Sequence, residues 1–472
     1  MQLLANSCNQ FGVDLFRRFG ATRPEENVFF SPLSVSMVLT LARAGARGRT
    51  AREMDRVLHF GNLPEDSVHS EMGALFRTLT YTVDDAEAGD IRRRIVDLRR
   101  ENEELTRKIE KPEFGRGDFD ELMLRHLQVV DELKRIVPRV DPYDLNLATG
   151  LFGARSCPFR PEFVKRLTES HATTVDGECD FEAGLESERH RINQWVERNT
   201  GGRITGLLGP GSLDPLTRLL LVSAVYFRGD WRHPFPEADT RKRMFRSAVG
   251  GVRTPMMSTR HEARYAAFNP DGTVFETPRT VVKGEHPVRG GYPPPGGWQV
   301  LEKVYRGGKL SMLFVLPGAV DGLPGLERGL DSETLTTWTA ALETRTVDVT
   351  VPRLRIDATV SLEGPLKAMG MASAFEPPGD VSGADFSAMS ESSDPMNQFY
   401  IASIAHRALV EVNEQGTEAA AAAAALFLAA ACTGERVDFV PEFRADHPFL
   451  FLIRHRATGA VLFLGRVYKP ST

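Results

Sequence analysis

The stretch EQGTEAAAAAAALF, Glu414 to Phe427, constrains this chain more tightly than any other. Ala419 to Ala425 are seven consecutive alanines. Alanine is the strongest helix former and a poor strand residue, and its methyl group is too small to anchor a core. A charged start and Gly416 precede the run, so backbone freedom is supplied where the small side chains begin. Such a segment suits a chain that must occupy two environments, one exposed and one tightly packed.

The rest of the sequence reads as a soluble globular protein, with 42% hydrophobic and 26% charged residues in 472. Its 58 basic and 63 acidic residues leave a net charge of −5, which gives no electrostatic ground for nucleic acid as the main partner. MQLLANSCNQFGVDLFRRFG, at the start, lacks the basic and apolar regions of a secretory signal. Leu4, Phe11, Leu15 and Phe16 are spaced along one helical face there. The longest weakly polar run, Ala419 to Cys432, falls short of the ~20 residues that cross a bilayer, so no membrane partner is expected. Cys8, Cys157, Cys179 and Cys432 match no CxxC pattern, and there is no Asn-x-Ser/Thr site. Both features favour a reducing, cytoplasmic home, with release from the cell without a signal peptide as the alternative.

Along the chain, Val28–Phe30 reads as extended, and Ser31 and Pro32 as the cap and first turn of an apolar helix that stops at Gly45 and Gly48. Residues 83–118 form a charged helical insertion. Within it Ile91, Ile95, Leu98, Asn102, Leu105 and Ile109 make a heptad stripe with an asparagine in the seam, which permits dimerisation or a helix lying on its own domain. Arg92–Arg94 with Arg99 and Arg100 could attract a polyanion, but interspersed acids favour a solvated face. FDELMLRHLQVVDELKRIV predicts an amphipathic helix, YDLNLATGLFG a strand, and LTRLLLVSAVYFRGDW a strand apolar on both faces, hence central in a large sheet. Residues 270–297 lack periodicity and predict a Gly/Pro-rich loop insertion. SLEGPLKAMGM predicts a short helix, AHRALVEVNEQG a strand, and the C-terminus a β-hairpin turning at Thr458-Gly459. No clean break divides the chain, so a single α+β domain over 1–472 is expected.

No catalytic constellation is present: there is no GxGxxG after a strand, no Walker loop, no HExxH and no GxSxG. The eleven histidines show no ligand spacing, so neither a metal nor a cofactor is expected and no catalytic residue is assigned. His171 and His190 fall in helical segments as surface residues, whereas His406 lies in a strand pattern inside the sheet.

Five blocks, in order, carry a family likeness: NVFFSPLSVSMVL, INQWVERNTGGRITGLL, VYFRGDWRHPF, VEVNEQGTEAAAA and FRADHPFLFLI. On them the chain resembles the serpins along nearly its whole length, and most closely their intracellular ovalbumin-type group. The resemblance implies three β-sheets, about nine helices and a reactive centre loop, here 414–440. It also implies the mechanism: a target serine protease, or a cysteine protease, cleaves the loop and is held as an acyl-enzyme while the loop inserts into the central sheet. Insertion would alternate Thr417, Ala419, Ala421 and Ala423 with Glu418, Ala420, Ala422 and Ala424 on the two faces. Small side chains suit both, whereas a charge at Thr417 would cost roughly 1–3 kcal/mol as an unpaired group.

Further positions carry over by resemblance. Glu414, Gly416, Thr417, Glu418, Ala419, Ala420, Ala421 and Ala422 match the hinge. Trp231 matches the tryptophan of the breach, where insertion begins, and Arg353 the basic partner of Glu414. Ser31, Ser34 and His406 match the shutter, in which Ser223 stands where the family commonly has asparagine and reaches less far. Counting along the loop places the reactive bond at Ala430–Ala431, which suits an elastase-like protease. Counting back from FRADHPF places it at Arg436–Val437, a trypsin-like target. The competing functional reading is a non-inhibitory serpin, that is, a carrier, chaperone or storage protein.

Overall fold

The computed structural model describes the chain except residues 62, 81–90, 92–93, 95–96, 99–100, 103, 106–107, 110–115, 141–142, 171–172, 249, 283–294, 380–381, 391, 393, 395–396, 415–435 and 471–472. Helix starts and stops follow the sequence punctuation. Ser31 is extended, and its Oγ accepts from Ser34 N at 3.1 Å to cap helix Pro32–Gly45, with proline in the first turn. That helix is apolar nearly all round and is buried nearly all round, against strands Tyr143–Ala154 and Leu219–Gly229.

Five strands make the central sheet in the spatial order Leu354–Ser361, Ile401–Val412, Leu219–Gly229, Tyr143–Ala154, Thr174–Cys179. Leu219–Gly229 is its middle strand and is buried on both faces as far as Phe227, as its unbroken apolar run predicts. Ile401–Val412 lies beside it in parallel, from Ile401 opposite Leu219 to Glu411 opposite Arg228. A ten-stranded sheet includes the long strand Gly250–Phe268 and the hairpin Phe449–His455/Val461–Val467. A third sheet is a two-stranded ribbon of Thr280–Val282 with Arg436–Asp438. One apolar core runs from Leu4 to Tyr468 through helices and sheets alike.

Ten α-helices have both ends among the described residues. Nine pack around the sheets, and the tenth, Arg116–Val140, begins at the end of the 83–118 segment. Described residues between 91 and 109 are helical and lie antiparallel to it. Leu98, Leu105, Val129 and Ile136 form an apolar cluster separate from the main core, with Ile91, Leu122 and Leu133 packed on it. Arg94 forks onto Glu132 at 2.9 and 3.0 Å and Arg125 reaches Glu101 at 2.7 Å, fixing the register along the rim. Leu98 and Leu105 of the heptad stripe are thus covered by a helix of the same chain. Ile95 lies outside the described residues.

Two short strands, Val274–Phe275 and Thr280–Val282, stand where aperiodicity predicted only loop. Segments of two and three residues are too brief to show alternation, and they are fixed by their partners, Ala267–Phe268 and Arg436–Asp438. Because the helical hairpin has its own small core, Leu98→Ala with Leu105→Ala should remove about 2–5 kcal/mol per site there. Limited proteolysis should then cut within 91–140, while the main melting transition moves by less than about 2 °C.

Candidate functional site

His406 and Ser223 are register partners across the two parallel central strands, and helix Pro32–Gly45 begins beneath them. Ser31 N donates to His406 Nε2 at 3.2 Å, and His406 Nδ1 lies 2.9 Å from the Ser223 carbonyl oxygen. A backbone N–H only donates and a carbonyl only accepts, so the proton must sit on Nδ1 and Nε2 must be bare. Ser223 Oγ lies 3.1 Å from Nδ1 and 2.5 Å from Ser34 Oγ. Serine therefore reaches both neighbours here despite its short side chain. All four side chains are buried, and burial pushes the His406 imidazole down to about 4. A second proton on Nε2 would face the Ser31 N–H donor to donor.

A second constellation closes the top of the same strand pair. Trp231 stacks on Tyr305, ring centroids 4.4 Å apart and 11° between planes, and its Nε1 donates to the Asn413 carbonyl at 3.0 Å. Glu414 follows at once and is 3% exposed. Its Oε1 accepts from Arg353 at 2.6 Å and from Thr240 Oγ1 at 2.7 Å, and its carbonyl accepts from Phe235 N at 3.2 Å. Burial pushes this carboxyl up, but the hydrogen bonds from Arg353 and Thr240 outweigh it and hold it below its ordinary value. The structure thus brings Trp231, Arg353 and Glu414 together where the chain leaves the sheet.

Gly416, Thr417, Glu418, Ala419, Ala420, Ala421 and Ala422 of the hinge, and Ala430 and Ala431, lie outside the described residues. Arg436 and Val437 are described. They pair antiparallel with Val282 and Val281, and Phe439 N donates to the Arg279 carbonyl at 2.8 Å. Among the described residues no three metal-ligating side chains converge, and no helix is long and apolar enough to cross a membrane.

Sequence reasoning missed Thr240, which carries no signal of its own, and Lys303, which follows Glu302 in the otherwise uncharged strand Trp298–Val304. Lys303 is 1% exposed, with Nζ 4.2 Å from the Phe235 ring centroid and 5.3 Å from that of Trp231. It donates to the His233 carbonyl at 2.5 Å and lies 3.4 Å from His261 Nε2. No carboxylate pairs with it among the described residues, and burial pushes its ammonium down to about 7. The aromatic faces and the carbonyl partly replace the lost water. This charge sits directly behind the Trp231 and Phe235 contacts that hold Asn413 and Glu414.

The family model described as Serpin (serine protease inhibitor) matches residues 6–95 and 118–470, a break that falls within the helical hairpin. Over 474 residues, and the full length of both chains, this sequence is 32% identical to the leukocyte elastase inhibitor of Xenopus tropicalis. It is 33% identical to serpin B8 of Bos taurus over 473 residues, again covering both chains fully. The crystal structure of uncleaved ovalbumin superposes with a TM-score of 0.71 at 27% identity, covering 99% of this chain and all of that one.

Two outcomes follow from the buried bases. His406 binds its proton near 6.5 when unfolded and near 4 when folded, so the native state holds fewer protons between those values. Its stabilising share is therefore complete above about pH 6.5 and lost as pH falls toward 4, on the order of 3 kcal/mol. Urea midpoints should drop across that window, and His406→Gln should be weaker at pH 7 but lack this component of the slope. Lys303 holds its proton to about 10.5 unfolded and about 7 folded, so stability should rise from pH 7 to 10.5. Lys303→Met should abolish that rise and gain roughly 1–3 kcal/mol at pH 7, read from the same midpoints.

Proposed function

The chain belongs to the serpin family, and on that footing we propose that it is a suicide-substrate inhibitor of a serine-type endopeptidase rather than an enzyme. The observation that carries this reading is the direct parallel pairing of Ile401–Val412 with Leu219–Gly229. A chain leaving the first strand at Val412 and folding back between the two would run antiparallel to both. One parallel ladder would be exchanged for two antiparallel ones, which are the more stable per residue. The small side chains from Gly416 to Ala424 fit such a slot on either face.

In the proposed reaction the protease serine attacks the Ala430 carbonyl carbon, an ester forms to its oxygen, and the Ala431 amine leaves with a proton. Insertion of the freed segment from Gly416 to Ala430 then carries the ester roughly 50 Å, at ~3.3 Å per residue. Distortion at the end of that path leaves the protease unable to admit water to the ester. The Ala430–Ala431 bond is favoured over Arg436–Val437 because the latter is engaged in a ribbon that a protease cleft would have to strip. A small residue before the bond matches an elastase-like pocket, in keeping with the name of the Xenopus relative. The buried thiols of Cys8, Cys157 and Cys179 are unpaired with one another, which supports a reducing, cytoplasmic home.

Mixing the protein with elastase should give a complex that survives denaturing electrophoresis, and Thr417→Arg should divert it to simple cleavage. Protein nicked near Ala430 should melt more than about 10 °C above the intact form, because the extra strand adds to the sheet. Clean cleavage with a raised melting temperature but no complex would mark a non-inhibitory serpin. Cleavage with an unchanged melting temperature would refute insertion itself.

A further inference from the structure

We propose that an exposed basic ribbon beside the reactive loop docks the target protease and favours one with carboxylates around its cleft, an inference that rests on the inhibitory reading above. The ribbon is strand Arg241–Ser247 paired with the start of strand Gly250–Phe268, from Arg241 opposite Met256 to Ser247 opposite Gly250. Its charge is out of keeping with the rest of the chain. The protein carries −5 overall, whereas residues 240–261 hold six arginines and lysines and no acid.

Two of those six are already matched. Arg246 pairs with Asp446, and Arg260 with Asp348. Glu414, a further carboxylate at this end of the molecule, is taken by Arg353. Arg241, Lys242, Arg243 and Arg253 are exposed, and none of the four makes an ion pair among the described residues. Met244, the cross-strand partner of Arg253, is 47% exposed in their midst. Alternation puts Lys242, Met244 and Arg246 on the outward face, because Phe245 between them is buried. Charges on an edge strand guard against stray pairing, but that role does not explain an exposed methionine among them. Arginine and methionine are both enriched where proteins meet.

Position identifies the partner. Thr240, one residue before the strand, donates to Glu414 at 2.7 Å where the loop leaves the sheet. Arg246, near the other end of the strand, donates its backbone N–H to the Asp446 carbonyl at 2.8 Å, just past the loop's return. Six residue steps at ~3.4 Å separate these anchors, roughly 20 Å. The strand thus joins the two feet of the loop. Standard interfaces draw about 20–30 residues from each side, more than a cleft takes from one loop, so a docked protease covers the ground between those feet. A patch of one sign steers an oppositely charged partner, raising association rates by roughly 10–1,000-fold, and the gain fades with salt. A linear polyanion would use the cations but not Met244, which favours a protein face.

The test is the rate of covalent complex formation with two active-site-titrated elastases, one of net negative and one of net positive charge, at about 0.02 M and about 0.5 M NaCl. Lys242→Glu with Arg253→Glu should slow capture of the anionic enzyme at least about ten-fold at low salt and less than about two-fold at high salt. Capture of the cationic enzyme should hold or quicken. The loop is untouched, so the stoichiometry of inhibition and the rise in melting temperature on nicking should match those of the native chain. Arg18→Glu with Arg52→Glu changes net charge equally on helices Gln2–Thr22 and Gly48–Val57, and should move either rate less than about two-fold. A ribbon variant no slower than this control, or a slowing that persists at high salt, would overturn the proposal. So would unchanged rates with lost retention on a sulfated-polysaccharide column, which would assign the ribbon to a polyanion. A native chain that forms no complex with either enzyme would instead sink the inhibitory reading, and this inference with it.

Discussion

Everything distinctive in this molecule depends on two strands that lie side by side in the less favourable orientation. Ile401–Val412 and Leu219–Gly229 are parallel neighbours, although the chain that leaves the first could return between them. What keeps them closed is local and polar. At mid-height the neutral His406 ring ties its own strand to the Ser223 backbone and to the start of the helix below. At the top, Trp231 and Arg353 hold Asn413 and Glu414 in place. Each clasp consists of a few hydrogen bonds, each worth about 1 kcal/mol net, so it resists opening without forbidding it.

Lys303 sharpens that balance. An ammonium buried behind the upper clasp weakens the ground state of the region on which the proposed opening depends, while Phe235 and Trp231 moderate its cost. The large apolar core elsewhere carries the global stability, so strain confined to this corner changes the ease of opening more than the integrity of the fold.

Much of this could be read from the residues. The apolar run around Leu219–Gly229, the cap at Ser31 and the turn at Thr458-Gly459 are local signals and appear where local physics puts them. Trp231, Arg353 and Glu414 were found through family likeness, and their meeting is a matter of tertiary distance that no spacing reveals. The heptad stripe was legible, but its partner was not. Helix Arg116–Val140 presents Leu122, Val129, Leu133 and Ile136 interrupted by His126, and a stripe on one helix does not say whether a copy or the same chain will cover it. Strand Thr280–Val282 escaped notice because its pairing with Arg436–Asp438 spans more than 150 residues of sequence.

The helical hairpin begins and ends at a single point. Tyr143 Oη donates to the Leu79 carbonyl at 2.8 Å, so helix Glu65–Thr80 before the hairpin and strand Tyr143–Ala154 after it are already in contact at its base. Chain can be spliced between such abutting ends without moving either, because the body feels only the closed neck and the appendage brings its own interior. The result is a graft whose length and composition are free to change while the machinery behind it stays untouched.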